Sequence, residues 1–91
     1  MRIILEFDLE DIKVTVFKMD DKISVKYEWN LLEQTLKFRD GSTIQSANDA
    51  KKFSENQVLN LKSIFEKMNE MRWIGINEMI NDSHQEWDEI I

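Results

Sequence analysis

His84 is the only histidine of the chain, and no cysteine accompanies it. It is therefore the one side chain whose ordinary pKa allows base catalysis near neutral pH. A nucleophile needs such a base within hydrogen-bond reach, and the base needs a third group to orient it. His84 stands among Ile80, Trp87 and Ile91 at helical spacing, the setting of a packed imidazole rather than a catalytic one. Asp8 and Glu10 form a carboxylate pair two residues apart, but on a small solvated strand neither is driven to change its proton affinity. A zinc site would have to join His84 to Asp88 or Glu89, which falls short of the usual four-ligand sets. Asp20-Asp21 lacks the ligand spacing of a calcium loop. Two glycines, Gly41 and Gly75, cannot build a phosphate-cradling loop. Asn81-Asp82-Ser83 matches a glycosylation acceptor and is read as a chance match. The expectation is a protein with no catalytic residues, no metal and no cofactor, and hence not an enzyme.

The other grouping that could act is electrostatic. The chain carries 18 acids and 12 bases, a net charge of −6. All 12 bases precede residue 73, while Glu78, Asp82, Glu86, Asp88 and Glu89 follow it with no base among them. Glu78, Asp82, Glu86 and Glu89 are spaced four, four and three residues apart, which places them along one side of a helix. Trp73, Ile76, Ile80, His84, Trp87 and Ile91 recur at steps of three and four on the opposite side. An acidic ridge repels nucleic acid and steers toward a basic protein surface, and Trp is among the residues most enriched at interface hot spots. Glu78, Asp82, Glu86, Trp87 and Glu89 are accordingly the expected partner-binding residues, with Trp87 as the apolar anchor. The function expected is an acidic protein-binding module, an inhibitor or immunity-type protein that occludes the basic active or nucleic-acid-binding site of a partner such as a toxin nuclease.

Three other readings use the same residues. A phage- or plasmid-type anti-defence protein would use the carboxylates to imitate nucleic-acid charge. A homo-oligomeric structural or interaction protein would pair the Trp73-to-Ile91 stripe with its own copy, His84 making the contact pH-sensitive. A third reading makes Trp73 and Trp87 core anchors and the acids a merely solvated face, with Trp73 the better anchor of the two.

These residues have to be positioned by the rest of the chain. Residues 3 to 39 alternate apolar and polar with period two, the sign of half-buried strands. Ile3, Leu5, Phe7 and Leu9 share a side; so do Ile12, Val14 and Val16, then Ile23, Val25, Tyr27 and Trp29, then Leu36 and Phe38. Strands are expected near 2–10, 11–19, 22–29 and 33–39, with hairpin turns at Asp20-Asp21 and, more strongly, Asp40-Gly41, and a short return at 42–45. At Phe53 the period changes to 3.6. Ser54-Glu55-Asn56-Gln57 fits a capping box flanked by the staple pair Phe53 and Val58. From there Val58, Leu61, Ile64, Phe65, Met68 and Met71 make a stripe suited to the sheet's apolar face. Residues 48–52 add at most a turn before it. Gly75 and Asn81-Asp82-Ser83 make two short helices, near 73–80 and 83–91, a close rival to one continuous helix.

The fold expected is α+β: an antiparallel β-meander of four to five strands, packed on one face by a long helix at about 54–72 and by a C-terminal helical segment. Ninety-one residues make a single domain, 1–91, with 42% apolar and 33% charged residues, a globular rather than a disordered balance. With no Cys and no apolar run of membrane-spanning length, a soluble, cytoplasmic protein is expected.

Overall fold

The computed structural model describes the backbone of residues 1–39 and 41–90, and the side chains of 1–39 and 41–81. Four strands of eight residues each, β1 (Arg2–Leu9), β2 (Ile12–Met19), β3 (Lys22–Trp29) and β4 (Leu32–Arg39), precede two helices, α1 (Ala47–Asn56) and α2 (Val58–Ile90). The sheet is an antiparallel meander in the order β1-β2-β3-β4. Two-residue connections at 10–11, 20–21 and 30–31 enforce that order, because so short a link can only return the chain beside the strand it has left. Asn30 and Leu31 both have positive φ, 51° and 63°, as a type I′ turn demands. A leucine in that region is strained by about 1 kcal/mol or more, and its side chain is 98% exposed.

Strand register stacks the core-facing residues in rows: Phe7, Val14, Tyr27 and the polar Gln34 in one, Leu5, Val16, Val25 and Leu36 in the next. The opposite face carries Asp8, Lys13, Glu28 and Glu33 in line, and Lys26 ion-pairs with Glu28 at 3.4 Å. The expectation that Ile3 shares the side of Leu5, Phe7 and Leu9 is corrected. Ile3 pairs with Phe17 but Leu5 pairs with Val16, so a bulge at Ile4 reverses the alternation and leaves Ile3 on the outer face, 54% exposed.

The helix boundaries also differ from the sequence reading. α1 begins eight residues earlier than Phe53-Ser54 suggest: Ser46 is its N-cap, its Oγ accepting from the Asp49 N–H at 3.1 Å, while Asp49 Oδ2 accepts from the Gln45 N–H at 3.1 Å. Ser54 caps nothing. It lies fully buried inside α1, donating to the Ala50 carbonyl at 2.8 Å and meeting the Tyr27 hydroxyl at 2.7 Å. A buried polar link between helix and sheet has taken the side chain that a local cap would have used. α1 stops at Gln57, whose N–H bonds to the carbonyls of both Phe53 and Ser54, and α2 starts at the next residue.

The core is formed by Ile12, Val14, Val16, Ile23, Val25 and Tyr27 from the sheet, with Ala50, Leu61 and Phe65 from the helices. Phe53 meets Phe38 edge-on at 5.4 Å between ring centroids, and Trp29 tilts against Phe65 at 6.0 Å. Of the stripe expected to cover the sheet, Leu61 and Phe65 are buried and Met68 packs at the margin, whereas Ile64 and Met71 face solvent, 38% and 69% exposed. No fifth strand forms at 42–45; Gly41 has φ +89°, and there the chain leaves the sheet for α1 instead of folding back. Asp40 lies outside the described residues. Among those described, no helix is long and apolar enough to cross a membrane.

Candidate protein-binding surface

α2 is 33 residues long, about 50 Å at 1.5 Å per residue. A strand of eight residues spans only about 27 Å. The helix therefore outruns the sheet. Gly75 and Asn81-Asp82-Ser83 do not break its backbone, so one continuous helix replaces the pair of short ones.

Three contacts hold the first half of α2 in place. Lys62 forms an ion pair with Glu10 in the β1–β2 turn. Phe65 fills the space under Trp29. Arg72 closes the docked portion: its Nη1 donates to the Asn30 carbonyl in the β3–β4 turn at 2.9 Å, and its Nη2 donates to Asn69 Oδ1 at 2.6 Å. The guanidinium also lies 5.9 Å from the Trp73 ring centroid, within cation–π range. The Asn30 turn marks the rim of the sheet, so Arg72 is the last residue of α2 seen to grip it.

Beyond Arg72 the large apolar side chains among the described residues are uncovered. Trp73 is 54% exposed, Ile74 57%, Ile76 39%, Met79 71% and Ile80 59%. Monomeric proteins seldom leave so many large apolar side chains together in water without an interaction to serve. The reading of Trp73 as a core anchor is thus corrected: the tryptophan that packs on the core is Trp29, at the end of β3. Trp73 misses the sheet because Arg72, one residue before it, already lies at the rim.

Glu78 is exposed on this projecting segment and makes no ion pair among the described residues. At 100° per residue it faces nearly opposite the side shared by Trp73, Ile76 and Ile80, as the spacing implied. Asp82, Glu86, Trp87 and Glu89, the other expected partner-binding residues, have side chains outside the described set, as does His84. Sequence reasoning passed over Arg72 and the exposed Ile74 and Met79, and it placed the exposed Met71 against the sheet. The signal available for them was the excess of apolar residues over what an eight-residue strand can cover.

The most enclosed of three cavities among the described residues, about 170 Å³, is lined by Asp11, Ile12, Trp29, Lys62, Phe65 and Glu66, and two shallower ones of about 410 and 340 Å³ lie against the β3–β4 turn and beside Arg2 and Lys18. Among the described residues no three metal-ligating side chains cluster. Burial pushes the Tyr27 phenol above its ordinary pKa of 10.0, and the Ser54 hydroxyl, able to turn and donate to a phenolate, offsets part of this. Asp49 is held below the usual carboxylate range, first by the Gln45 N–H and then by Ser46 at the α1 cap. Both shifts belong to groups that hold the fold together.

Comparison with known proteins gave no match to a family model, to a curated protein or to a solved structure.

Proposed function

We propose that this chain is a non-enzymatic protein-binding module whose projecting helix presents an acidic side to a partner with a basic surface, as an inhibitor or immunity-type protein covers a cationic active site. The observation that supports this reading is the position of Glu78. It stands on a segment clear of the sheet, solvent-exposed, in a stretch of sequence with five acids and no base. Of the three bases that precede it on α2, Lys62 is paired with Glu10 and Arg72 is bonded to Asn30 and Asn69, while Lys67 is exposed about 16 Å back along the helix, beyond the screening length of about 8 Å at physiological salt. An unscreened line of carboxylates accelerates encounter with a cationic surface and repels nucleic acid.

The reading is tested by placing a photo-crosslinking residue at position 78 and irradiating cells of the source organism. A discrete adduct with a second, basic protein is expected. Its yield should fall as salt is raised and when Asp82, Glu86 and Glu89 are replaced by their amides. No adduct, or an adduct indifferent to both changes, would overturn the proposal.

A further inference from the structure

The uncovered apolar side of the helix asks for an occupant of its own, independent of any partner for the acidic side. Trp73, Ile76 and Ile80 are all exposed and lie within about 60° of one another around the helix axis. Met79 extends the patch at its edge. Together they offer several hundred Å² of apolar surface, the range in which a patch on a monomer marks an interaction site.

We infer that this side is covered by the same side of a second copy of the chain, with the two helices antiparallel and the two-fold axis passing near Ile80. Three observations lead there. The first is spacing: Trp73, Ile76, Ile80, His84 and Trp87 are separated by three, four, four and three residues, a sequence of steps that reads the same in both directions about Ile80. An isologous contact requires this, since each residue must meet the one at the mirrored offset: Ile80 its own copy, Ile76 the partner's His84, Trp73 the partner's Trp87.

The second is fit. Overlap from 73 to 87 brings the helices together over about 21 Å and ends where Arg72 meets the sheet rim at Asn30. The two sheets then sit at opposite ends of the helix pair and do not collide. Two such patches together approach the roughly 1,200 Å² at which stable protein interfaces begin.

The third is charge. A parallel pair would set every acid of 73–91 beside its own copy, whereas the antiparallel pair separates positions 86 and 89 from their copies by about 18 and 27 Å along the axis and opposes the helix dipoles. Glu78, on the far side of each helix, stays in solvent, so a dimer still displays carboxylates outward.

The absence of native cysteine makes the test direct. Ile80→Cys should form a disulfide-linked dimer readily under mild oxidation, because residue 80 faces its own copy. Trp73→Cys should not, its copies being about 21 Å apart in this register, and neither should Glu78→Cys on the outer side. Sedimentation equilibrium of the unmodified chain should show a monomer–dimer equilibrium, weakened at least about 100-fold by Ile80→Asp, which desolvates poorly in both copies at once. Ile80 is 59% exposed, so thermal unfolding of the Ile80→Asp monomer should be close to that of the parent monomer. A monomer at millimolar concentration would overturn the inference. Equal crosslinking at 73 and 80 would overturn the antiparallel arrangement, and a dimer indifferent to Ile80→Asp would place the contact elsewhere. The basic-partner reading stands or falls separately, on position 78.

Discussion

The hydrogen bond between Tyr27 and Ser54 joins residues 27 positions apart in the middle of the core. A serine hydroxyl has one proton, and Ser54 spends it on the Ala50 carbonyl, so the Tyr27 phenol is the donor. The two partners are therefore unequal. Tyr27→Phe leaves Ser54 still bonded to Ala50 and should cost about 1 kcal/mol, whereas Ser54→Ala strands a buried phenol and should cost about 1–3 kcal/mol. Urea denaturation of the two variants checks the order. The pH dependence follows from the raised phenol pKa. Folding favours the neutral form, so its contribution is complete below pH 10.0 and is lost as the pH rises from there through the folded value. Tyr27 is the only tyrosine, so absorbance titration of phenolate reads this residue alone. Its midpoint should lie above 10.0 in the folded protein and return to that value in urea.

At the level of elements, strand content was legible because one face of each strand had to be apolar. All four strands lie within a residue or so of where alternation placed them. What alternation could not show was the bulge at Ile4, since one added residue preserves an apolar character while exchanging faces. Helix starts were less legible for a different reason. Ser46-Ala47-Asn48-Asp49 and Ser54-Glu55-Asn56-Gln57 both offer capping chemistry, and only the position of Tyr27 across the core decides which serine is free to cap. Gly75 was expected to weaken the helix, and α2 runs through it without a break. Its backbone needs no unusual φ, and a Cβ placed there would meet nothing within 4 Å. Gly75→Ala should therefore raise the thermal midpoint, by the equivalent of about 1 kcal/mol. Because position 75 lies well off the Trp73, Ile76 and Ile80 side, self-association should be unchanged, which sedimentation would confirm.

At the scale of the whole molecule, the folded core and the proposed binding surface occupy different lengths of chain. The radius of gyration is 18.5 Å and the longest axis 61 Å, against about 12 Å expected of a compact 91-residue domain. Every core residue precedes Met68, and the last grip on the sheet is Arg72. Ending the chain after residue 72 should therefore leave the urea midpoint nearly unchanged while abolishing both crosslinks described above; a fragment that fails to fold would show that the projecting half of α2 supports the core. The candidate site was legible in the sequence as a charge asymmetry and a helical stripe, since both are local patterns. Whether the stripe was core or surface was not, because that depends on where the sheet stops, and the sheet stops where the Asn30 turn meets Arg72. The meander has one further consequence, for kinetics. Each strand pairs with its immediate predecessor across two residues, so loop-closure entropy is small and the contact order of the sheet is low. Hairpins can zip in sequence before any helix docks, and the barrier to folding should then be set by the slower search that brings Leu61 and Phe65 back over an already assembled sheet.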